Sequence, residues 1–489
     1  SYLFIQYILL LVSAILVVIY CGEKVWLNTG LRLVAYLLPL VAVLYGIVDS
    51  ISLTYILLAI PVSIASSLYS LWYSRHKYGS LRLQLLIDLF NISIIYTLLA
   101  PNLIGFIALW TFSEILGFLL VSYEGGDEAF RAGYRFFFLK ALTFEASALA
   151  LVAILSAHVG LDKALLLEFN KLPYVTVEPY YAILLMIGYT TTAALIPLHF
   201  WLPHAHSTAP SPASAILSGV TVKMGFYALM RLYDLVMLGE WSKYLLLGMG
   251  FITCIYGFLV LISQRDVKRM LAYSTIGNTG LIAVLQALYL LYPTSTYLYL
   301  AFITSIYAHG LYKAALFINA GTIEAVAHTR IMDNVHGLVA FTPISSLASL
   351  FAVLSVIGIP PTIGFMSKLL SIIGILDIGL NTITIPVLCL IGYSILVSLF
   401  YGVRILRMHW EAGKIEHGER IRDFPQIVEL GLSSMGLVYG FITPLLSYTE
   451  VLFTLTLVNM FSLLIIVLLV YTFYYNIRLR ILRGITSYV

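Results

Sequence analysis

The chain has 489 residues, of which 61% are hydrophobic and only 10% charged, with a mean hydropathy of +0.98. A soluble domain carries about 25% charged residues, so this composition excludes a water-solvated surface and demands a lipid one. The formal net charge of +4 calls for no nucleic-acid partner, because the basic residues fall in short connections between apolar runs.

A membrane-spanning helix needs about 20 apolar residues, and such runs recur from end to end. The first, Tyr2 to Tyr20, lacks a basic leader and a small-residue cleavage site and reads as a span. Further spans are expected at 31–48, 52–73, 82–100, 102–122, 132–157, 180–201 and 211–232. The rest are expected at 243–263, 270–292, 297–321, 340–376, 381–405, 427–447 and 449–476. The fold class is therefore an all-α polytopic membrane protein of about 14–15 transmembrane helices. The longest polar connections are 159–179, 322–337 and 406–426. Cys21, Cys254 and Cys389 have no metal, cluster or redox spacing. No cofactor is expected on this chain.

Numbering the connections alternately to the two sides puts nineteen Lys and Arg on one side and four on the other. That is a strong positive-inside bias. It predicts an outer N-terminus, a cytoplasmic C-terminal tail and a multi-pass protein of the cell membrane. Arg32, Lys268 and Lys24 are counted among the nineteen, and Arg231 among the four.

Four basic residues remain inside predicted spans, and all are lysines: Lys140, Lys223, Lys313 and Lys368. A charge at mid-bilayer costs about 2.5–3.5 kcal/mol even on the lenient insertion scale, so these side chains are expected to face a polar interior. Burial can bring a lysine into a titratable range, whereas arginine stays charged. Lysines therefore suit proton handling. Snorkelling to the headgroups is the alternative, chiefly for Lys140 and Lys313, which lie nearer their predicted ends. Glu114 and Glu145 are acids at similar depth; Asp88 is a weaker case, close to a helix start. His309 and Lys313, four residues apart, share one helix face and form a candidate relay pair. His199, His204 and His206 cluster without a fourth ligand, so no metal site is expected.

Two spans are interrupted by helix breakers. Pro197 and Pro203 interrupt one; Pro360 and Pro361 interrupt the other. Non-helical backbone at membrane depth persists only where protein or a wet cavity surrounds it, and matching breaks in two halves of a transporter point to its ion path. The halves do correspond: FLKALTF around Lys140 echoes LYKAALF around Lys313, 173 residues later. Five spans separate the copies, so the second is inverted. The expected domains are 1–80, the first three helices; 81–238, the first five-helix repeat; 241–408, the second; and 409–489, the C-terminal helices and tail.

Four blocks carry a resemblance. They are PLHFWLPHAHSTAPSPASAILSGVTVKMGFYALMR (197–231), SQRDVKRMLAYSTIGNTG (263–280), AHGLYKAALFINAG (308–321) and GIPPTIGFMSKLL (358–370). Together they resemble the antiporter-like membrane subunits of respiratory complex I, of Mrp-type sodium/proton antiporters and of energy-converting hydrogenases. The likeness covers at least 102–405. It implies two inverted five-helix bundles and a midplane line of lysines, histidines and a glutamate. By position, Glu114 is similar to the family's fifth-helix glutamate, Lys223 to its eighth-helix lysine, and Lys313 with His309 to its eleventh-helix pair. Lys368 resembles the lysine of the second broken helix. Lys140 rests on burial and the repeat echo. One departure stands out: where the family usually carries a lysine partner for that glutamate, this chain has Thr192. Glu114 is then expected to pair with Lys140 or Lys223.

The resemblance implies a proton- or sodium-translocating subunit of a redox-driven complex. Its partners would be homologous antiporter-like chains and a peripheral redox arm, with iron–sulfur clusters, flavin, a nickel–iron centre or quinone on those partners. An Mrp-type secondary exchanger without redox coupling, or a structural copy that no longer pumps, are the competing readings.

Overall fold

The structure is a computed structural model that describes residues 2–21, 25–46, 48–413, 415, 418–446, 458–460, 462–468 and 470–471. Lys24, Lys414, Arg478, Arg480, Arg483 and most of the expected last span, 449–476, lie outside the described residues.

Helices fill the described chain. In order they are α1 (Tyr2–Cys21), α2 (Val25–Leu44), α3 (Ser50–Tyr78), α4 (Arg82–Leu98), α5 (Leu103–Val121) and α6 (Gly126–Val159). The short α7 (Leu161–Leu166) precedes α8 (Tyr181–Thr192), α9 (Trp201–Thr208), α10 (Ser211–Ile216) and α11 (Val222–Leu235). Then come α12 (Glu240–Ile262), α13 (Val267–Leu291), α14 (Thr296–Ala327), α15 (Pro343–Ile357), α16 (Ile363–Asp377), α17 (Thr384–Trp410) and α18 (Asp423–Ile442). A π-helical turn, Leu217–Thr221, joins α10 to α11 in one continuous rod. Among the described residues, nine helices are long and apolar enough to cross a membrane. The protein is an all-α, multi-pass membrane protein. The one sheet among the described residues is a two-residue parallel pairing of β1 (Val175–Thr176) with β2 (Val236–Met237).

The helix starts follow capping chemistry. Asn102 accepts from the Gly105 amide at 3.1 Å, Asp266 from Arg269 at 3.1 Å and Thr362 from Phe365 at 3.2 Å. Interhelical approach follows small residues, as lipid-solvated packing requires. A Cβ at Gly250 would stand 2.7 Å from the Gly280 carbonyl, so α12 and α13 touch backbone to backbone. The α10–α11 rod and α14 are buried along almost their whole lengths, whereas α1 exposes most of its surface. Leu142, Leu149 and Leu396 point outward, each about two-thirds exposed (66, 66 and 68%). Such an apolar rim is a lipid-facing surface.

Both expected breaks are real. The seventh expected span ends as a helix at Thr192 and resumes at Trp201; the twelfth ends at Ile357 and resumes at Ile363. The loosened backbone is tied down by side chains. The Ile196 amide donates to Thr253 Oγ1 at 2.9 Å, and the Trp201 indole to the Thr191 carbonyl at 2.8 Å. Helices α6 and α14 run longer than expected, since their polar ends stay helical where they pack against neighbours. Thus most of the first half of the expected 322–337 connection belongs to α14.

Candidate functional site

Six ionisable side chains of the expected file are placed by five helices. All four lysines are held inside rather than at the rims: Lys140, Lys223 and Lys313 are at most 1% exposed, and Lys368 is tethered inside the second break. Glu114, on α5, is fully buried. Its Oε1 accepts from the Trp110 indole at 3.1 Å and lies 3.9 Å from Lys140 Nζ on α6. Its Oε2 has no hydrogen-bond partner. The Lys140 amine also faces the rings of Phe136 and Trp201, 4.7 and 5.4 Å from their centroids. Of the two amines offered to Glu114 by the sequence, Lys140 is the one at ion-pair distance. Thr192 is the last residue of α8, buried where the first break begins, with its hydroxyl unpartnered. Glu145 is only half-buried and accepts from Thr111 at 2.6 Å.

Lys223 sits one residue into α11, just past the π-helical turn. Its Nζ donates to the Ser218 carbonyl at 2.5 Å and lies 2.5 Å from His309 Nδ1. Two cations repel at such a distance, so one of the two groups accepts the hydrogen bond of the other. His309 Nε2 has no partner. His309 thus reaches across to α11 rather than along α14 to Lys313. The cause is backbone proximity, since a Cβ at Gly310 would come within 2.9 Å of the Gly219 carbonyl. Lys313 turns the other way, donating to Ser274 Oγ on α13, with the Tyr401 ring 5.0 Å from its amine.

Lys368, on α16, folds back over the second break. Its amine donates to the Val356 and Ile357 carbonyls at 2.7 and 2.6 Å. These are the last free carbonyls of α15, where the helix dipole favours a cation. Pro360 and Pro361 end α15, and a left-handed Gly358 (φ +88°) turns the chain away.

Several buried ionic groups escape a hydropathy reading. Arg32 is 3% exposed and its Nε donates to Asp88 at 2.9 Å, while Asp88 also accepts from Tyr36 and Ser67 at 2.5 Å each. Neither the loop position given to Arg32 nor the lesser weight given to Asp88 survives. Lys268, taken as a surface charge, is 2% exposed, donates to the Ala209 carbonyl at 3.2 Å and stands 3.5 Å from Glu324. Arg231 is buried in α11 and forks onto Asp49, with Nη2–Oδ1 at 2.7 Å. The buried basic residues therefore include arginines. His204 lies 2.9 Å from Arg135, while His206 stacks on Phe317 at 4.3 Å with both ring nitrogens unpartnered.

Two polar cavities open beside this machinery. One, of about 360 Å³, is lined by Lys77, Glu124, Lys268, Glu324 and Arg330 among others; its neighbour, of about 400 Å³, by Glu128, Arg131, Arg135 and His204 among others. The ends of α3 and α14 and the starts of α6 and α13 meet here. These are ends the charge pattern assigns to the basic side.

Residues 100–394 match the family model described as NADH:quinone oxidoreductase/Mrp antiporter, TM, which is more than half of the chain. The chain belongs to that family. Among curated relatives, hydrogenase-4 component B of Escherichia coli is 31% identical over 336 residues, spanning 65% of this chain and 49% of that protein. An Na(+)/H(+) antiporter subunit of Alkalihalophilus pseudofirmus is 28% identical over 441 residues, 82% of this chain and 53% of its own length. The chain thus spans about half the length of these relatives. In fold it is similar to a chain of the membrane-bound sulfane sulfur reductase, an archaeal respiratory membrane complex (TM-score 0.73, 21% identity, 91% of this chain and 95% of that one). It is equally similar to a chain of the Mrp complex from Dietzia sp. DQ12-45-1b (TM-score 0.72, 18% identity, 89% and 95%).

Proposed function

We propose that this family member is an antiporter-like subunit that translocates protons, or sodium ions, within a redox-driven multisubunit membrane complex. One observation carries the reading: Glu114 with Lys140, Lys223 with His309, then Lys313 and Lys368, form a set of ionisable groups held in the interior of a lipid-solvated protein. Intramembrane ionisable residues are costly and mark ion pathways. Each charge in a low-dielectric interior alters the protonation of the next, so a change at one end can travel along the set. Lys368, held by free backbone carbonyls at a broken helix, is the outlet-side switch. The two broken helices belong to two inverted five-helix repeats, 81–238 and 241–408, flanked by 1–80 and 409–489. Lys140 stands in for the lysine that Thr192 replaces, keeping the first half in use.

The basic side, with both polar cavities, is the cytoplasmic face of the cell membrane, and the N-terminus lies outside. Hydrogenase-4 component B and the sulfane sulfur reductase support partners that include homologous membrane chains and a peripheral redox arm. Any iron–sulfur, flavin, nickel–iron or quinone site belongs to those partners. Purifying the complex through a tag on this chain tests the assignment. Iron–sulfur subunits are expected to co-purify; small antiporter-type membrane chains alone would replace redox coupling by secondary exchange. Lys368→Ala is expected to abolish the ion translocation of everted vesicles that depends on this chain, with the complex still assembled. Translocation at the parental rate would refute the role of Lys368.

A further inference from the structure

A second set of buried ionisable groups lies on α17 and α18, beyond the residues the family model matches. Glu429, on α18, is fully buried. Its Oε1 accepts from Asn319 Nδ2 at 2.6 Å, and its Oε2 from Ser345 Oγ at 2.7 Å and Thr322 Oγ1 at 3.3 Å. Among the described residues no cation stands within ion-pair distance of it. His409, on α17, is equally buried. It joins the cluster at Asn319 Oδ1, 3.0 Å from its Nε2, and its Nδ1 lies 2.9 Å from Ser346 Oγ. Tyr69 of α3 also faces the cluster, its hydroxyl 3.1 Å from Thr322 Oγ1. Two residues beyond Thr322, Glu324 lines the basic-side cavity.

Satisfied polar groups alone would be adhesive between helices. What lies deeper is not satisfied. The seam between α15 and α18 carries Ser433, one helical turn past Glu429, and Ser355; both are nearly fully buried and neither hydroxyl has a partner. Gly436 opens the seam opposite Ser355, whose Oγ would be 3.6 Å from a Cβ there. The seam ends at the Val356 and Ile357 carbonyls that hold the Lys368 amine. Ten residues of α15, about 15 Å, separate Ser346 from Val356. Two buried hydroxyls without a protein partner are poor glue, and are groups that bridging water can join into a proton path.

We propose that Glu429, positioned by Asn319 and His409, is a proton-loading site, and that the serine-lined seam between α15 and α18 delivers protons from it to Lys368. In each delivery the Glu429 carboxylic acid loses its O–H proton and becomes a carboxylate. Each seam hydroxyl, and each water bridging the gaps between them, accepts one proton and releases another. The neutral Lys368 amine takes the last and becomes an ammonium. Glu429 then regains a proton from the basic side, while His409 holds the Asn319 amide against it. This deepens the proposed function, because it takes Lys368 to be an ion-carrying group.

The test compares Glu429→Gln, the double variant Ser355→Ala/Ser433→Ala and Lys368→Ala in everted vesicles of the host. The double variant removes hydroxyls that hold no hydrogen bond, so the yield of assembled complex is expected to match the parent. Both Glu429→Gln and the double variant are expected to lower chain-dependent translocation about a hundredfold, the low end of what a positioned proton carrier supplies. Infrared spectra of the purified complex should show a deuterium-sensitive carboxylic-acid band that Glu429→Gln removes and the double variant keeps. Parental translocation in either variant, beside loss in Lys368→Ala, overturns the seam and leaves the proposed function standing. A band unchanged by Glu429→Gln overturns the loading site. Parental translocation in Lys368→Ala as well would refute the role that the proposed function gives to Lys368.

Discussion

At Lys368 one amine serves two ends: it caps the α15 carbonyls and it is proposed to carry a proton. Lys368→Arg separates them. Arginine keeps the cation at the helix end but does not deprotonate in a protein. The variant is therefore expected to assemble normally and lose chain-dependent translocation in everted vesicles; parental translocation would reduce Lys368 to a cap. At the other end of the set, Lys140→Met strips the cation from a fully buried Glu114. Removing one partner of a buried pair costs about 3 kcal/mol at the low end, so the purified variant should melt at a lower temperature. Adding Thr192→Lys returns an amine at the position the family uses, and is expected to restore both stability and translocation. A double variant as inactive as Lys140→Met would reject the substitution of Lys140 for the family lysine. The lysines were legible in the sequence because a charge in the middle of an apolar run has few explanations. Asp88, Lys268 and Glu429 were not. They lie near helix ends, where hydropathy cannot tell a residue facing water from one turned inward onto Arg32, Glu324 or Asn319. The Lys223–His309 contact was hidden for a different reason: spacing along α14 gives a shared face with Lys313, and only the close approach of Gly219 and Gly310 decides the partner.

The helices themselves were read more surely, since their boundaries follow apolar length and proline. Pro197 and Pro360–Pro361 marked both breaks, while the polar extensions of α6 and α14 carried no hydropathy signal. What sequence could not supply was how closely helices meet. The α12–α13 pair depends on Gly250, Gly257, Gly277 and Gly280 lying against one another. Gly280→Val would force the two backbones apart. Overpacking of this kind costs about 1–3 kcal/mol. The expected result is a lower melting temperature and a reduced yield of complex from the membrane; a variant with parental yield and melting behaviour would show that the contact has slack.

Across the whole molecule, the proposed function takes the apolar exterior, the interior amines and the two cavities on the basic side as one arrangement: a lipid-solvated shell around a polar thread. Apart from these amines, Arg32 and Asp88 form a buried pair, Arg231 reaches the half-exposed Asp49, and Lys268 with Glu324 lines a basic-side cavity. The most direct test of this arrangement is a cryo-EM map of the tagged complex in a lipid nanodisc, at a resolution that shows ordered water. The account predicts the amines of Lys140, Lys223, Lys313 and Lys368 within the central slab of the bilayer, with water density linking the gaps between them. Amines at headgroup level, or separated by water-free side-chain packing, would contradict it.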